Sequence, residues 1–426
     1  MKRRLFVKGV ASSLPLALTG CVLGRIDFTH YRLRSDRFKD ALEEAALRGR
    51  AQSTWTDDGR IRVLFVTGDG YERGYQQGAL LRDEVRENIL YMYEQAVEKF
   101  YSAEIFAEAY ERLRPFIPQE YVDEMHGLAH GAKLPLDVVH HFHALPSVSE
   151  WGGKKKLRDI AKKMFKGIPE SEWGTSCSNL CAHPESTVDG GMYVVRILDW
   201  GLHRISKLHD YPLITVNVPS KGYAHCNIGW VGFLGAVSGM NEQGITLGEM
   251  GYGDPPNETL RGKPMPFLLR EVMQYAKSLP EVRNIIQGSP GTNSFVYLMS
   301  DGKSRQAELY VRDRDRFLVF QAGDAVEDTE KTMPPIPGIV YGGHYDERMA
   351  QRLAEERGKI SPQLLMDKLI PEFAMASNFQ NVVYDPIHLR FWVNNAKSHG
   401  ERAAEQPYTL FDLKSALSHF RKMDTQ

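Results

Sequence analysis

Two hydrophobic rhythms divide the chain. Up to about residue 170, apolar residues recur at the three-and-four spacing of amphipathic helices. Residues 36–48 are rich in Ala, Leu and Glu, with Ser35 placed to cap a helix and Gly49 to end it. Residues 61–66 predict a short strand running into Gly68-Asp69-Gly70. From Gly74 onward Leu80, Leu81, Val85, Ile89, Tyr93 and Val97 keep one helical stripe. A further helix over 106–113 is stopped by Pro115 and Pro118, and Pro135 opens another over 136–145. From residue 171 the texture changes to short β-branched and aromatic runs between glycine turns, predicting strands at 192–198, 213–218, 224–229 and 245–250. Helical patterning returns at 265–278, 347–357 and 362–369, with strands at 294–299, 306–311 and 316–320 between. Two sheets flanked by helices would account for this order, an α+β arrangement.

Composition narrows the class. A chain of 426 residues has room for two or three domains, and 42% hydrophobic with 25% charged residues is ordinary for a globular protein. Lys+Arg 53 against Asp+Glu 54 leaves no basic surplus for phosphate backbones, so nucleic acid is not an expected partner. The lysines at 154–156, 162, 163 and 166 read as a solvated linker face. His140, His141 and His143 point in different directions around a helix, and no carboxylate or cysteine at helical spacing completes a ligand set. No metal and no organic cofactor is expected.

The first 21 residues read as an address. Lys2-Arg3-Arg4-Leu5-Phe6-Val7-Lys8 resembles a twin-arginine export signal, and the apolar run over 10–18 is too short to span a bilayer. Leu18-Thr19-Gly20-Cys21 resembles a bacterial lipobox, in which Cys21 receives lipid. The expectation is an exported lipoprotein on the periplasmic face or cell-envelope membrane.

Candidate chemistry centres on Cys177. It follows the polar run Trp173-Gly174-Thr175-Ser176 and precedes the turn Asp189-Gly190-Gly191 and a strand ending Arg196-Ile197-Leu198-Asp199-Trp200. A thiol becomes a nucleophile when one group stabilises its thiolate and another carries protons, and an arginine and a carboxylate can serve. Residues three apart on a regular strand face opposite sides, so the strand should bend near Leu198 or end before Asp199.

Other segments extend the pattern. Gly229-Trp230-Val231-Gly232-Phe233 precedes Gly239-Met240-Asn241-Glu242-Gln243-Gly244-Ile245; Asn381-Val382-Val383-Tyr384-Asp385-Pro386 precedes Arg390-Phe391-Trp392-Val393. Upstream lie Glu72-Arg73-Gly74-Tyr75-Gln76-Gln77-Gly78 and Met125-His126-Gly127-Leu128-Ala129-His130-Gly131. In order and spacing, over most of residues 60–400, these resemble the N-terminal nucleophile hydrolases, closest to the isopenicillin-type acyltransferase branch and the phospholipase B-like proteins. Choloylglycine hydrolase and acid ceramidase are related members.

The resemblance implies a four-layer αββα sandwich over 177–426, preceded by a mostly helical pro-segment over 22–176. It implies self-cleavage before Cys177, freeing an α-amine whose pKa of roughly 8 suits it to move the thiol proton. Arg196 would stabilise the thiolate and Asp199 would hold the ammonium. The family's oxyanion asparagine has a glycine in its place, Gly343, in Tyr341-Gly342-Gly343-His344-Tyr345-Asp346. Glycine N–H groups, the His344 ring or Asn293 are the substitutes, and Glu249 falls where relatives place a carboxylate near substrate. With Cys21 lipidated and Cys177 catalytic, Cys181 and Cys226 remain either as a disulfide of an oxidising compartment or as two buried thiols. The substrate expected is a small acyl amide, attacked through a thioester, with hydrolysis or transfer following. Two alternatives stand beside it: a phospholipase B-like ester hydrolase and a non-catalytic lipoprotein that keeps the fold for binding. The two fragments would stay associated, and the lipid would bring them to the membrane.

Overall fold

The computed structural model describes residues 41–100, 103–150, 177–201, 206–251, 259–327, 332–343, 347–398 and 400–423. The export signal, Cys21, the lysine-rich stretch, Ser176 and His344 lie outside the described residues.

Two large sheets carry the fold. The first runs β1 (Gln52–Trp55), β2 (Arg62–Gly68), β5 (Pro212–Pro219), β6 (His225–Trp230), β7 (Gly239–Asn241), β8 (Ile245–Gly251), β9 (Phe295–Asp301), β10 (Gln306–Arg312), β11 (Phe317–Phe320). The second runs β14 (Ile339–Gly342), β3 (Ser178–Ala182), β4 (Tyr193–Asp199), β15 (Asn378–Asp385), β16 (Arg390–Asn395), β17 (Thr409–Asp412). A short hairpin, β12 (Val326–Glu327) with β13 (Thr332–Met333), stands apart. Every pairing in the two large sheets is antiparallel except β2 with β5, which is parallel. The sheets meet face to face: a Cβ on Gly248 of β8 would lie 2.3 Å from Asn179 Oδ1 on β3. Strands buried on both faces, such as β4 with all seven residues covered, read as continuous apolar runs because helices close the outer sides.

Helices α1 (Ala41–Gly49), α2 (Gly70–Leu80), α3 (Arg82–Phe100), α4 (Glu104–Leu113), α5 (Gln119–Ala132) and α6 (Leu136–Glu150) precede Cys177. After β8 come α7 (Met265–Tyr275) and α8 (Leu279–Gly288); after β14 come α9 (Glu347–Glu355), α10 (Pro362–Leu364) and α11 (Ile370–Phe373), with a π turn at Leu365–Leu369, and α12 (Leu413–Met423) closes the chain. The α+β four-layer sandwich with a helical N-terminal segment is therefore observed.

The packing of α2 explains the upstream motifs. Asp69 caps it with a capping box: its side chain accepts from Glu72 N–H, and the Glu72 carboxylate accepts from Asp69 N–H at 2.9 Å. Gly70, Gly74 and Gly78 then face Gly127 and Gly131 of α5, letting the backbones touch. A Cβ on Gly74 would sit 1.9 Å from Glu124 O, and one on Gly127 would sit 2.0 Å from Tyr71 O. Only glycine fits at such a crossing.

Several expectations need correction. The stripe from Gly74 is two helices, because the wholly buried Leu81 leaves helical geometry at φ −118°, ψ 39°. The patterning over 265–278 stops at Tyr275, and a second helix begins beyond Ser278. The mostly helical segment before Cys177 keeps its expected strand, β2, and pairs it with β1 as one edge of the nine-stranded sheet. Cys181 and Cys226 are free, since β3 and β6 belong to different sheets and bury the two thiols separately. The histidines, by contrast, pack as expected: His140 stacks on Tyr110 at 4.0 Å, His141 lies 3.3 Å from Tyr93 Oη, and His143 Nε2 accepts from Leu234 N–H at 3.1 Å.

Candidate active site

Cys177 stands directly before β3, and the β3–β4 register, Ser178 with Ile197 and Asn179 with Arg196, carries it to the end of β4. Its thiol lies 4.0 Å from the Asp199 carbonyl, the acceptor nearest its proton. Arg196 is fully buried; its Nη2 donates to Glu249 Oε1 at 2.5 Å and its Nη1 to Ile197 O at 2.5 Å. Asp199 is equally buried, and its Oδ1 accepts from Asn378 Nδ2 at 2.9 Å. Asn378 is itself held, its Oδ1 accepting from Ala404 N–H at 2.8 Å and its amide meeting that of Asn381.

The bend expected in β4 is found elsewhere. β4 runs through Asp199 without a break, and the irregularity lies in β15, where pairing jumps from Asn378 to Gln380. That bulge lets Asn378 turn its amide to the carboxylate.

Electrostatics follow burial. The Cys177 thiol is pushed up to about 12, first by burial and then by Glu249 and Asp199, with Arg196 opposing. Asp199 is raised to about 7 by burial, against the pull of Asn378, the backbone and Arg196. Burial would lower Arg196, yet the neighbouring Cys177 and Glu249 outweigh it and hold the guanidinium charged. With residue 177 still in peptide linkage, the thiol is protonated at neutral pH and its resident cation is shared with Glu249.

A cavity of about 60 Å³ opens beside the thiol. Pro146, Leu198, Trp200, Val237, Met265 and Phe295 give it apolar walls, and Cys177, Asp199, Glu249 and Gly251 its reactive side. A larger surface groove, about 500 Å³, lies along α12, and no candidate catalytic residue lines it. At that volume the cavity holds only a small group against the thiol.

The structure thus gathers Cys177, Arg196, Asp199 and Glu249. Gly343 comes to the same neighbourhood, against Ser178, where a Cβ would lie 2.6 Å from the Ser178 hydroxyl. Directly after β14, a larger residue there would have to displace Ser178. Asn293 precedes cavity-lining Phe295, buried, with neither amide atom hydrogen-bonded. Asn378 and Asn179 escape the sequence reading. The run Ser377-Asn378-Phe379-Gln380-Asn381, unusually polar for a buried strand, is the signal for the first, and two-residue spacing from Cys177 is the signal for the second.

No family model matches the chain. Protein dcd1B of Dictyostelium discoideum is 26% identical over 337 residues, covering 75% of this chain and 66% of that protein. Protein dcd1A of the same organism is 22% identical over 319 residues, covering 67% and 66%. An uncharacterized protein of Archaeoglobus fulgidus is 24% identical over 256 residues, covering 57% and 42%. The chain thus spans just under two thirds of the length of the two Dictyostelium relatives. Among solved structures, a variant of conjugated bile acid hydrolase from Clostridium perfringens aligns with TM-score 0.36 and 11% identity, over 56% of this chain and 93% of that one. The Caenorhabditis elegans ortholog of N-acylethanolamine-hydrolyzing acid amidase gives 0.36 and 11%, over 55% and 100%.

Proposed function

We propose that this chain is a self-processing cysteine hydrolase or acyltransferase of the N-terminal nucleophile group, acting on a linear acyl amide through a thioester at Cys177. One observation carries the reading: a thiol and two carboxylates, Cys177, Asp199 and Glu249, line a single small cavity with apolar walls, and a buried arginine stands behind Glu249. The Cys177 sulfur attacks the Ser176 carbonyl, the Ser176–Cys177 C–N bond breaks, and nitrogen takes the thiol proton. Water then hydrolyses the thioester, leaving a Ser176 carboxylate and a Cys177 with free amine and thiol. That amine has a pKa of roughly 8, so it can take the thiol proton on each turnover and return it to the leaving amine. Asp199 is the acceptor for the ammonium, and Arg196 faces the thiolate.

An ester substrate would use the same thioester, and the cavity does not discriminate. Lipid on Cys21 would keep the protein at an exported membrane face, near acyl substrates. The deciding experiment is intact mass spectrometry of wild type and Cys177→Ala. Two fragments meeting between Ser176 and Cys177 in wild type, and one chain in the variant, are expected. Equal processing of both would overturn the mechanism, and an uncut wild type would favour a binding role.

A further inference from the structure

Asn179 is two residues beyond Cys177 on β3, opposite Arg196 on β4. It is wholly buried, yet neither its Oδ1 nor its Nδ2 has a hydrogen-bond partner. The same is true of Arg196 Nε and Asp199 Oδ2. Four unsatisfied atoms therefore crowd the surroundings of one thiol. The Asn179 amide and the Arg196 stem meet over Gly248: a Cβ there would lie 2.3 Å from Asn179 Oδ1 and 3.2 Å from Arg196 Cδ. Gly248 is small because this pair fills its side-chain space.

Leaving a buried amide unpaired is destabilising, and an apolar residue of similar shape would avoid that cost. A fold selected for stability alone would place leucine here. Arg196, meanwhile, gives one terminal nitrogen to Glu249 and the other to a strand carbonyl, its charge already acts on the Cys177 sulfur, and its Nε has no partner.

We propose that Asn179 is a positioning residue for Arg196, accepting from Nε when the guanidinium, shared at rest between Cys177 and Glu249, leaves Glu249 for the sulfur alone. Its Oδ1 then gives the arginine a fixed partner in place of the carboxylate. Arg196 thereby alternates between a shared contact that holds it and an amide that aims it. The inference rests on Cys177 being the nucleophile.

The test compares wild type, Asn179→Leu and Asn179→Asp on two readouts. One is thermal stability. The other is the pH dependence of Cys177 alkylation by iodoacetamide, followed by peptide mass spectrometry. Asn179→Leu should melt at or above the wild-type temperature while its alkylation midpoint rises by about one pH unit, roughly tenfold slower reaction below both midpoints. Asn179→Asp keeps the acceptor and should retain a pH-dependent reaction distinct from that of the leucine variant. A leucine variant that titrates like wild type, or that melts well below it, overturns the role. Failure of the nucleophile reading is separate: it appears as wild-type protein uncut before Cys177, whatever Asn179 does to the titration.

Discussion

Asp199 is the residue whose ionisation the fold opposes most clearly. Its folded pKa of about 7 stands above the ordinary 3.8. Between those values the unfolded chain is ionised while the folded chain holds a proton, so stability falls as pH rises through the window. Above pH 7 the whole penalty applies, on the order of 4 kcal/mol for about three pH units. Asp199→Asn removes the ionisable group and leaves an oxygen for Asn378. The uncut Asn variant, made in a Cys177→Ala background, should be more stable than its Asp199 parent at pH 8, with the gap closing toward pH 4. Urea denaturation at pH 4, 6 and 8 measures this, and a gap independent of pH would mean Asp199 ionises normally. In the cut protein an ammonium beside Asp199 would supply the missing counter-charge and shrink the gap.

At the scale of elements, the crossing of α2 and α5 is the most exacting contact. Gly74→Ala places a methyl 1.9 Å from Glu124 O, a backbone atom that cannot step aside. The helices must separate, at a cost of several kcal/mol by comparison with overpacked cores. Gly229→Ala on β6 meets nothing within 4 Å and should change stability by about 0.5 kcal/mol or less. Melting temperatures of the two variants form the comparison, and equal effects would rule out close helix packing. Much of this architecture was legible beforehand, because periodicity reports burial: β2, β5, β6, β8, β9 and β10 fall within two or three residues of their predicted ranges. What escaped depended on tertiary context. Leu81 breaks a helix without any breaker residue, and α6 runs through Pro146 to Glu150, past its predicted end at residue 145. β17 and α12 went unread. At the site, Cys177, Arg196 and Asp199 were named from their chemistry and the family resemblance, and Glu249 from the resemblance alone, whereas Asn179 and Asn378 depend on register and on a bulge. Between a disulfide and two buried thiols the second holds, a choice cysteine counting leaves open because it carries no information on which sheet each thiol enters.

Across the whole molecule, the segments on either side of Cys177 share one interior. Arg73 on α2 and Arg270 on α7 both pair with Glu124 on α5, and Arg270 also donates to Asn217 on β5 and to His225 on β6. All three charged side chains of that network are buried. Breaking such a network from one side costs about 3–5 kcal/mol, so cleavage alone should not free the segments. With lipid on Cys21, membranes washed in high salt should keep both fragments, because buried contacts are little screened. Denaturant should release residues 177–426 alone, and Cys21→Ser should send both fragments to the soluble fraction. Release of the later fragment by salt would mean that the earlier segment is discarded after processing.

The parallel pairing of β2 with β5 gives that shared interior a history. Arg62 lies beside Leu213 and Gly68 beside Pro219, so the nine-stranded sheet is stitched from chain on both sides of the proposed cut. Before cleavage the two strands find each other at the fixed effective concentration that a covalent chain supplies. Afterwards the same meeting is a second-order encounter, governed by mass action and slowed by dilution. A processed molecule that unfolds has lost the template on which it was assembled. Its lifetime is then set by how rarely it opens rather than by how well it closes, and the bond that activates it also makes its folding a single-use event.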